Sequence, residues 1–121
     1  MRIARTIGAL RELREGLHGG FEVGLVPTMG ALHAGHIALV ERAKSLGTCI
    51  VTSLFVNRLQ FLPGEDFERY PRTFERDCEL LEAEGVEFVF APDEGVLYPE
   101  KQQVKVNAGP LGDDLEGRFR P

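Results

Sequence analysis

Apolar residues recur at Ile7, Leu10, Leu13 and Leu17, the spacing that gathers side chains on one face of a helix. Thr6 stands where a cap belongs and Gly19-Gly20 breaks the pattern, so an amphipathic helix is predicted from Thr6 to about Leu17, with Met1 to Arg5 leading into it. Glu22 to Val26 is a short β-prone run that should stop at Pro27, whose ring removes the amide a ladder needs. After a loop from Thr28 to His33, the positions Ile37, Leu39, Val40, Ala43 and Leu46 make a second helical stripe, with Glu41, Arg42 and Lys44 outside it. That helix runs from Ala34 to Leu46 and Gly47 ends it.

Thr48 to Val56 is almost continuously β-branched or apolar, the pattern of a strand covered on both faces by helices. Strand, helix and strand form a βαβ unit with an expected right-handed crossover, which brings the Pro27 to His33 loop to the carboxyl end of the first strand, where open α/β sheets bind ligands. Asn57 to Arg72 reads as a long loop with one helical turn. Thr73 then caps a third helix to about Glu84, with Phe74, Cys78 and Leu81 inward, and Val86 to Phe90 forms a third parallel strand closed by Pro92. Val104 to Val106 is a further short strand. The predicted class is α/β: a Rossmann-like, three-layer sandwich with a central parallel sheet and helices on both faces.

Length allows one domain, residues 1–121, large enough to bury a core. The chain stops after Arg118-Phe119-Arg120-Pro121 with no helix or cap to finish it, so a truncated domain is expected, with a carboxyl-terminal domain missing. Acidic residues outnumber basic ones, 19 to 14, the wrong field for a nucleic-acid partner. No run approaches the ~20 apolar residues of a membrane span and no apolar signal core opens the chain, so a cytoplasmic protein without a membrane partner is expected. Cys49 and Cys78 sit inside apolar patterns and read as reduced core thiols.

The chemistry concentrates in Met29-Gly30-Ala31-Leu32-His33-Ala34-Gly35-His36, between a buried strand and the start of a helix. Helix amino termini offer unpaired amides and a partial positive charge to phosphate groups. Gly35 removes a side chain where a nucleotide must approach, and His33 and His36 can donate N–H bonds to oxygens on which charge grows during attack at phosphorus. His36 alone, three, four and seven residues before Leu39, Val40 and Ala43, could equally be a core histidine; two histidines around a glycine at a strand end favour a site. A zinc site would have only His18 to add and no nearby cysteine, so no metal bound by protein ligands is expected. Neither a Walker loop nor G-x-G-x-x-G is present, which leaves a site of the HxGH kind.

Longer strings narrow the choice. Val26-Pro27-Thr28-Met29-Gly30 with His33-x-Gly35-His36, Phe55-Val56-Asn57-Arg58-Leu59-Gln60-Phe61, Tyr70-Pro71-Arg72-Thr73, Phe90-Ala91-Pro92, and Leu115-Glu116-Gly117 with Phe119-Arg120-Pro121 closely resemble the pantothenate synthetase (pantoate–β-alanine ligase) family, from about Glu22 to the last residue. Arg58 departs from the pattern, since proline is usual after Asn57.

The resemblance implies a HUP-type Rossmann-like fold and condensation of pantoate with β-alanine through a pantoyl adenylate, in coenzyme A biosynthesis. It also implies ATP, with Mg2+ carried on the nucleotide, as well as pantoate and β-alanine as small-molecule partners, and a homodimer. Residue by residue, Pro27, Thr28, Met29, Gly30, Ala31, Leu32, His33, Ala34, Gly35 and His36 would form the ATP-binding segment, with His36 the acid near the phosphates and His33 a second phosphate donor. Gln60 would hold pantoate, with Asn57 beside it and β-alanine bordering the same loop; on the residues alone, each is as readily a solvated or turn side chain. Pro63 to Arg76 resembles a mobile wall over the site. The family takes a second glutamine, a lysine and a Ser-Ser-Arg loop from later sequence, so the isolated chain should be poorly active. The rival readings are another HxGH nucleotidyl transferase and a noncatalytic nucleotide-binding or dimerisation module.

Overall fold

Among the described residues four strands, all parallel, pair in the order β1-β4-β3-β2, where β1 is Arg2–Ala4, β2 Val23–Thr28, β3 Cys49–Leu54 and β4 Phe88–Phe90. Between them run α1 (Ile7–Glu15), α2 (Ala34–Leu46) and α3 (Phe74–Ala83), followed by a single turn α4 (Glu94–Leu97). The computed structural model describes residues 1–17, 22–47, 49–61, 68–101, 103–104 and 106–113. His18, the Gly19-Gly20 break, the first part of the Pro63 to Arg76 wall and the Leu115 to Pro121 motif therefore lie outside the described residues.

The sheet is covered on both sides. Cys49, Val51, Phe88, Phe90 and Ala4 face α1, which lays Ala9, Leu10 and Leu13 against them, with Leu17 just beyond its end. On the opposite face Val26, Ile50, Leu54 and Val89 pack with Val40 of α2 and Leu81 of α3. The connections β2-α2-β3 and β3-α3-β4 step across the sheet one way and β1-α1-β2 steps back. A single hand for all three requires α1 on the face opposite α2 and α3, as found. The expected three-layer architecture holds.

Several local expectations need correction. Arg2–Ala4 is a strand rather than a lead-in to a helix, because β4 has a free side on which Arg2 can donate to the Glu87 carbonyl and Ala4 can accept from Ala91. Strand β2 continues through Pro27 to Thr28. It is an edge strand in which Glu22 and Thr28 accept from Cys49 and Phe55, so residues of the other parity, Pro27 included, turn their backbone to the open side where a missing N–H costs nothing. The strand expected at Val86 begins at Phe88 and is the fourth of the sheet. Val104 and Val106 are exposed and carry no strand.

Leu39 (55% exposed) and Leu46 (64%) lie off the buried stripe of α2, and Ile7 is also exposed. Cys49 is buried and Cys78 half-buried, both as free thiols.

Thr52 sits in the middle of β3, fully buried, and its Oγ1 finds no partner among the described residues. An orphaned buried hydroxyl is costlier than a methyl in the same place. Thr52→Val is expected to stabilise the domain by about 1 kcal/mol, read as a higher urea midpoint at unchanged slope; a lower midpoint would mean the hydroxyl is bonded after all.

Candidate active site

The loop from Met29 to His33 joins the carboxyl end of β2 to α2. Thr28 starts it by donating its hydroxyl to the Ser53 carbonyl (2.9 Å) and accepting from the Gly30 amide (3.2 Å). The chain then turns through Gly30 at φ 80 and Ala31 at φ 51, both left-handed. Alanine there is strained by roughly 1–2 kcal/mol, so something must hold it.

The holder is Asp77, on α3 and 1% exposed. Its carboxylate accepts from the amides of Ala31 and Leu32, each at 3.0 Å, and from the Thr73 hydroxyl at 3.2 and 3.3 Å. Arg76 adds a bond to the Leu32 carbonyl (3.3 Å), and the Leu32 side chain is itself buried in the core. A Cβ on Gly30 would lie 3.1 Å from the Asp77 carboxylate, besides meeting the positive φ. Sequence reasoning missed Asp77. The signal was available: it occupies a position in the stripe Phe74, Asp77, Cys78, Leu81, where a charge does not belong without partners.

The two histidines lie together, ring centroids 4.0 Å apart, with His33 exposed and His36 half-buried. They cap α2 themselves. Nδ1 of His33 accepts from the Gly35 amide (3.0 Å), and Nδ1 of His36 accepts from the His33 amide (3.1 Å). These contacts correct the picture of bare amides awaiting phosphate, because the amides of Ala31, Leu32, His33 and Gly35 are all engaged. They also fix the tautomer: a ring whose Nδ1 accepts carries its proton on Nε2, so each imidazole offers an Nε2–H donor. Gly35 is needed for this packing, since a Cβ there would stand 2.9 and 3.1 Å from His33 ring atoms.

Burial, and secondarily the neighbouring His33 ring, push the His36 pKa below 6.5, while Asp77 pulls it back up to a lesser degree. His36 is therefore neutral at pH 7 and contributes a directed dipole rather than a charge. Because its folded pKa lies below the unfolded value, its contribution to stability is complete above 6.5 and declines as pH falls from there towards the folded pKa. An NMR titration of the His36 ring should show a midpoint below 6.5; a midpoint at or above that value would contradict this environment.

Beside the rings a cavity of about 680 Å³ opens across the carboxyl ends of the strands. Pro27, Thr28, Met29, His36, Asn57 and Gln60 line it, together with Phe55 and Pro92. Three separate segments anticipated from the sequence thus meet in one place. Gly30, Ala31, Leu32, His33, Ala34 and Gly35 do not line it: they form the frame behind His36.

Asn57 caps the turn Arg58–Gln60 by accepting from the Leu59 amide (3.1 Å), and its Oδ1 also accepts from the Tyr98 hydroxyl (3.2 Å). A ligand contact from Asn57 would come from its amide nitrogen. Arg58 takes the first position of that turn, where proline is also at home, and its guanidinium pairs with Glu94 at 3.0 Å and Glu68 at 3.3 Å.

Fold and site together define a Rossmann-like α/β domain of the HxGH kind. Residues 2–121 match the family model described as pantoate-beta-alanine ligase. The chain belongs to that family. It is 52% identical over 116 residues to the pantothenate synthetase of Nitrosospira multiformis, covering 96% of this chain and 42% of the relative, and 53% identical over 119 residues to that of Acidothermus cellulolyticus, covering 98% and 39%. The chain thus spans about two-fifths of the length of the curated relatives it matches.

Among solved structures, the pantothenate synthetase of Thermus thermophilus superposes with a TM-score of 0.85 at 50% identity, covering all of this chain and 43% of the other. The Francisella tularensis pantoate-beta-alanine ligase, complexed with beta-gamma ATP and beta-alanine, gives 0.93 at 36% identity, covering all of this chain and 47% of that one.

Proposed function

We propose that this chain is the nucleotide- and pantoate-binding part of an enzyme that condenses pantoate with β-alanine at the expense of ATP, in the route to coenzyme A. The observation that carries the reading is the convergence of His36, Asn57 and Gln60 on one cavity at the carboxyl ends of the parallel strands. The complex of the Francisella tularensis relative with beta-gamma ATP and beta-alanine supports it.

In the first step a pantoate carboxylate oxygen bonds to the α-phosphorus of ATP as the bond to the bridging oxygen breaks, and pyrophosphate leaves with that electron pair. In the second, the β-alanine amine attacks the acyl carbon, AMP departs and the nitrogen sheds its proton to water. Charge grows on phosphate oxygens in the first step, and the Nε2–H of His36, which borders the cavity, would serve as a donor to them, with the stacked His33 ring as a second donor from outside its lining. Gln60 can both donate and accept, as a hydroxy acid requires.

Among the described residues no three His, Cys, Asp or Glu side chains converge on a point. Magnesium would enter with the nucleotide, held by phosphate oxygens and water, and no residue here is assigned to it.

A cytoplasmic location and a homodimer belong to the same reading. The two free thiols suit a reducing compartment. No helix among the described residues is long and apolar enough to cross a membrane.

Calorimetry with ATP on the 121-residue chain should show saturable binding, while pantothenate formation stays at background, since the chain spans about two-fifths of the length of its relatives. Absence of ATP binding would overturn the nucleotide site, and robust synthesis by the chain alone would overturn the division of labour.

A further inference from the structure

We propose that Asp77 is a positioning residue for the reaction: its buried carboxylate holds the Gly30–Leu32 turn in its left-handed path and thereby aims the two histidines. The inference rests on the function proposed above and deepens it. Asp77 lines a neighbouring cavity of about 340 Å³, with Gly30, Arg72 and Thr73, and not the one bordered by His36, Asn57 and Gln60. It acts through the backbone.

Two amides of adjacent residues converge on one carboxylate, Ala31 on Oδ2 and Leu32 on Oδ1, each at 3.0 Å, while Thr73 steadies both oxygens. A carboxylate can accept all of these bonds at once, whereas an asparagine in the same place offers one accepting oxygen and turns an N–H2 towards the second amide. One donor would then be buried without a partner, a cost an intact turn cannot escape. Ala31 would relax from φ 51 towards the ordinary region.

Two residues on, His33 is the cap of α2, and its amide is the bond that orients the His36 ring. Rotation at Ala31 therefore swings both Nε2–H donors. The carboxylate has a second consequence, because by engaging the amides of Ala31 and Leu32 it leaves the imidazoles as the donors turned outward at this helix end. Phosphate recognition is thereby shifted from backbone to side chain.

The experiment compares the native chain, Asp77→Asn, Asp77→Ala and Leu80→Ala, the last being a half-buried residue of the same helix that packs on the core. Calorimetry with ATP, thermal melting, and amide hydrogen exchange at Ala31 and Leu32 are read on each. Native ATP binding tests the proposed function and comes first. Given that binding, Asp77→Asn should raise the ATP dissociation constant by about tenfold or more and release exchange protection at Ala31 and Leu32, while Leu80→Ala, destabilised to a similar degree, keeps native affinity and protection at both amides.

Should Asp77→Asn bind ATP as the native chain does, with both amides still protected, the inference fails although the nucleotide site stands. A parallel loss of affinity in Leu80→Ala would reduce Asp77 to general stability and likewise overturn it. If Asp77→Ala does not fold, Asp77→Asn, which conserves shape and one acceptor, decides the matter.

Discussion

Replacing His36 with alanine, in the ligase to which we assign this domain, is expected to depress pantoate-dependent pyrophosphate–ATP exchange by about 10²–10³-fold. In the role proposed for it, His36 donates to oxygens whose charge grows only as the α-phosphorus is attacked, so the transition state should lose more than the bound substrates do. Pantoate binding should persist, because Gln60 and Asn57 come from a different segment of the cavity wall.

Alanine also uncaps the His33 amide, a structural loss on the order of 1 kcal/mol, and a pair of milder variants separates the two effects. His36→Asn keeps an acceptor near Nδ1 for that amide but cannot reach as far as Nε2, so it should preserve the fold and lose exchange. His36→Gln reaches outward with an N–H and should recover part of the rate. Exchange within about threefold of native in the alanine variant, under half a log unit of rate, would remove His36 from the chemistry.

Leu81→Ala is expected to destabilise the domain by roughly 2–5 kcal/mol, the range for emptying a fully buried leucine site. Leu81 has no exposed surface and ties α3 to Val26, Ile50 and Val89 beneath the sheet. For a domain whose whole stability is on the order of 5–15 kcal/mol, that is a large share. Urea unfolding followed by circular dichroism gives the number directly, and a loss below about 1 kcal/mol would mean that α3 is not packed as described. The same helix carries Asp77 one turn earlier, so partial loosening should register at the active-site loop before global unfolding, as hydrogen exchange at Ala31 and Leu32 would reveal.

The helices were legible because their periodicity is local. Thr6, Gly47 and the stripe through Val40 announced α1 and α2 nearly to the residue. Strand β3 was equally plain, since only a strand buried on both faces tolerates so many consecutive apolar side chains. Less legible were β1 and the end of β2. Three residues carry no period, and Arg2–Ala4 is a strand only because β4 lies open beside it. Pro27 reads as the end of a strand because nothing in its neighbourhood says that the chain there is a sheet edge.

The candidate site divides along the same line. Residue types and spacing alone picked out His33, Gly35 and His36 as a phosphate-handling group, and the family resemblance marked Gln60 and Asn57 as neighbours. What they could not decide is which atoms do the work. That each imidazole accepts at Nδ1 and offers Nε2–H, that Gly35 makes room for the His33 ring, and that a carboxylate 46 positions from Ala31 holds the turn, all depend on backbone groups brought together by the sheet. Periodicity reports the face a residue occupies, and a hydrogen bond depends on what stands opposite that face, which only the folded chain specifies.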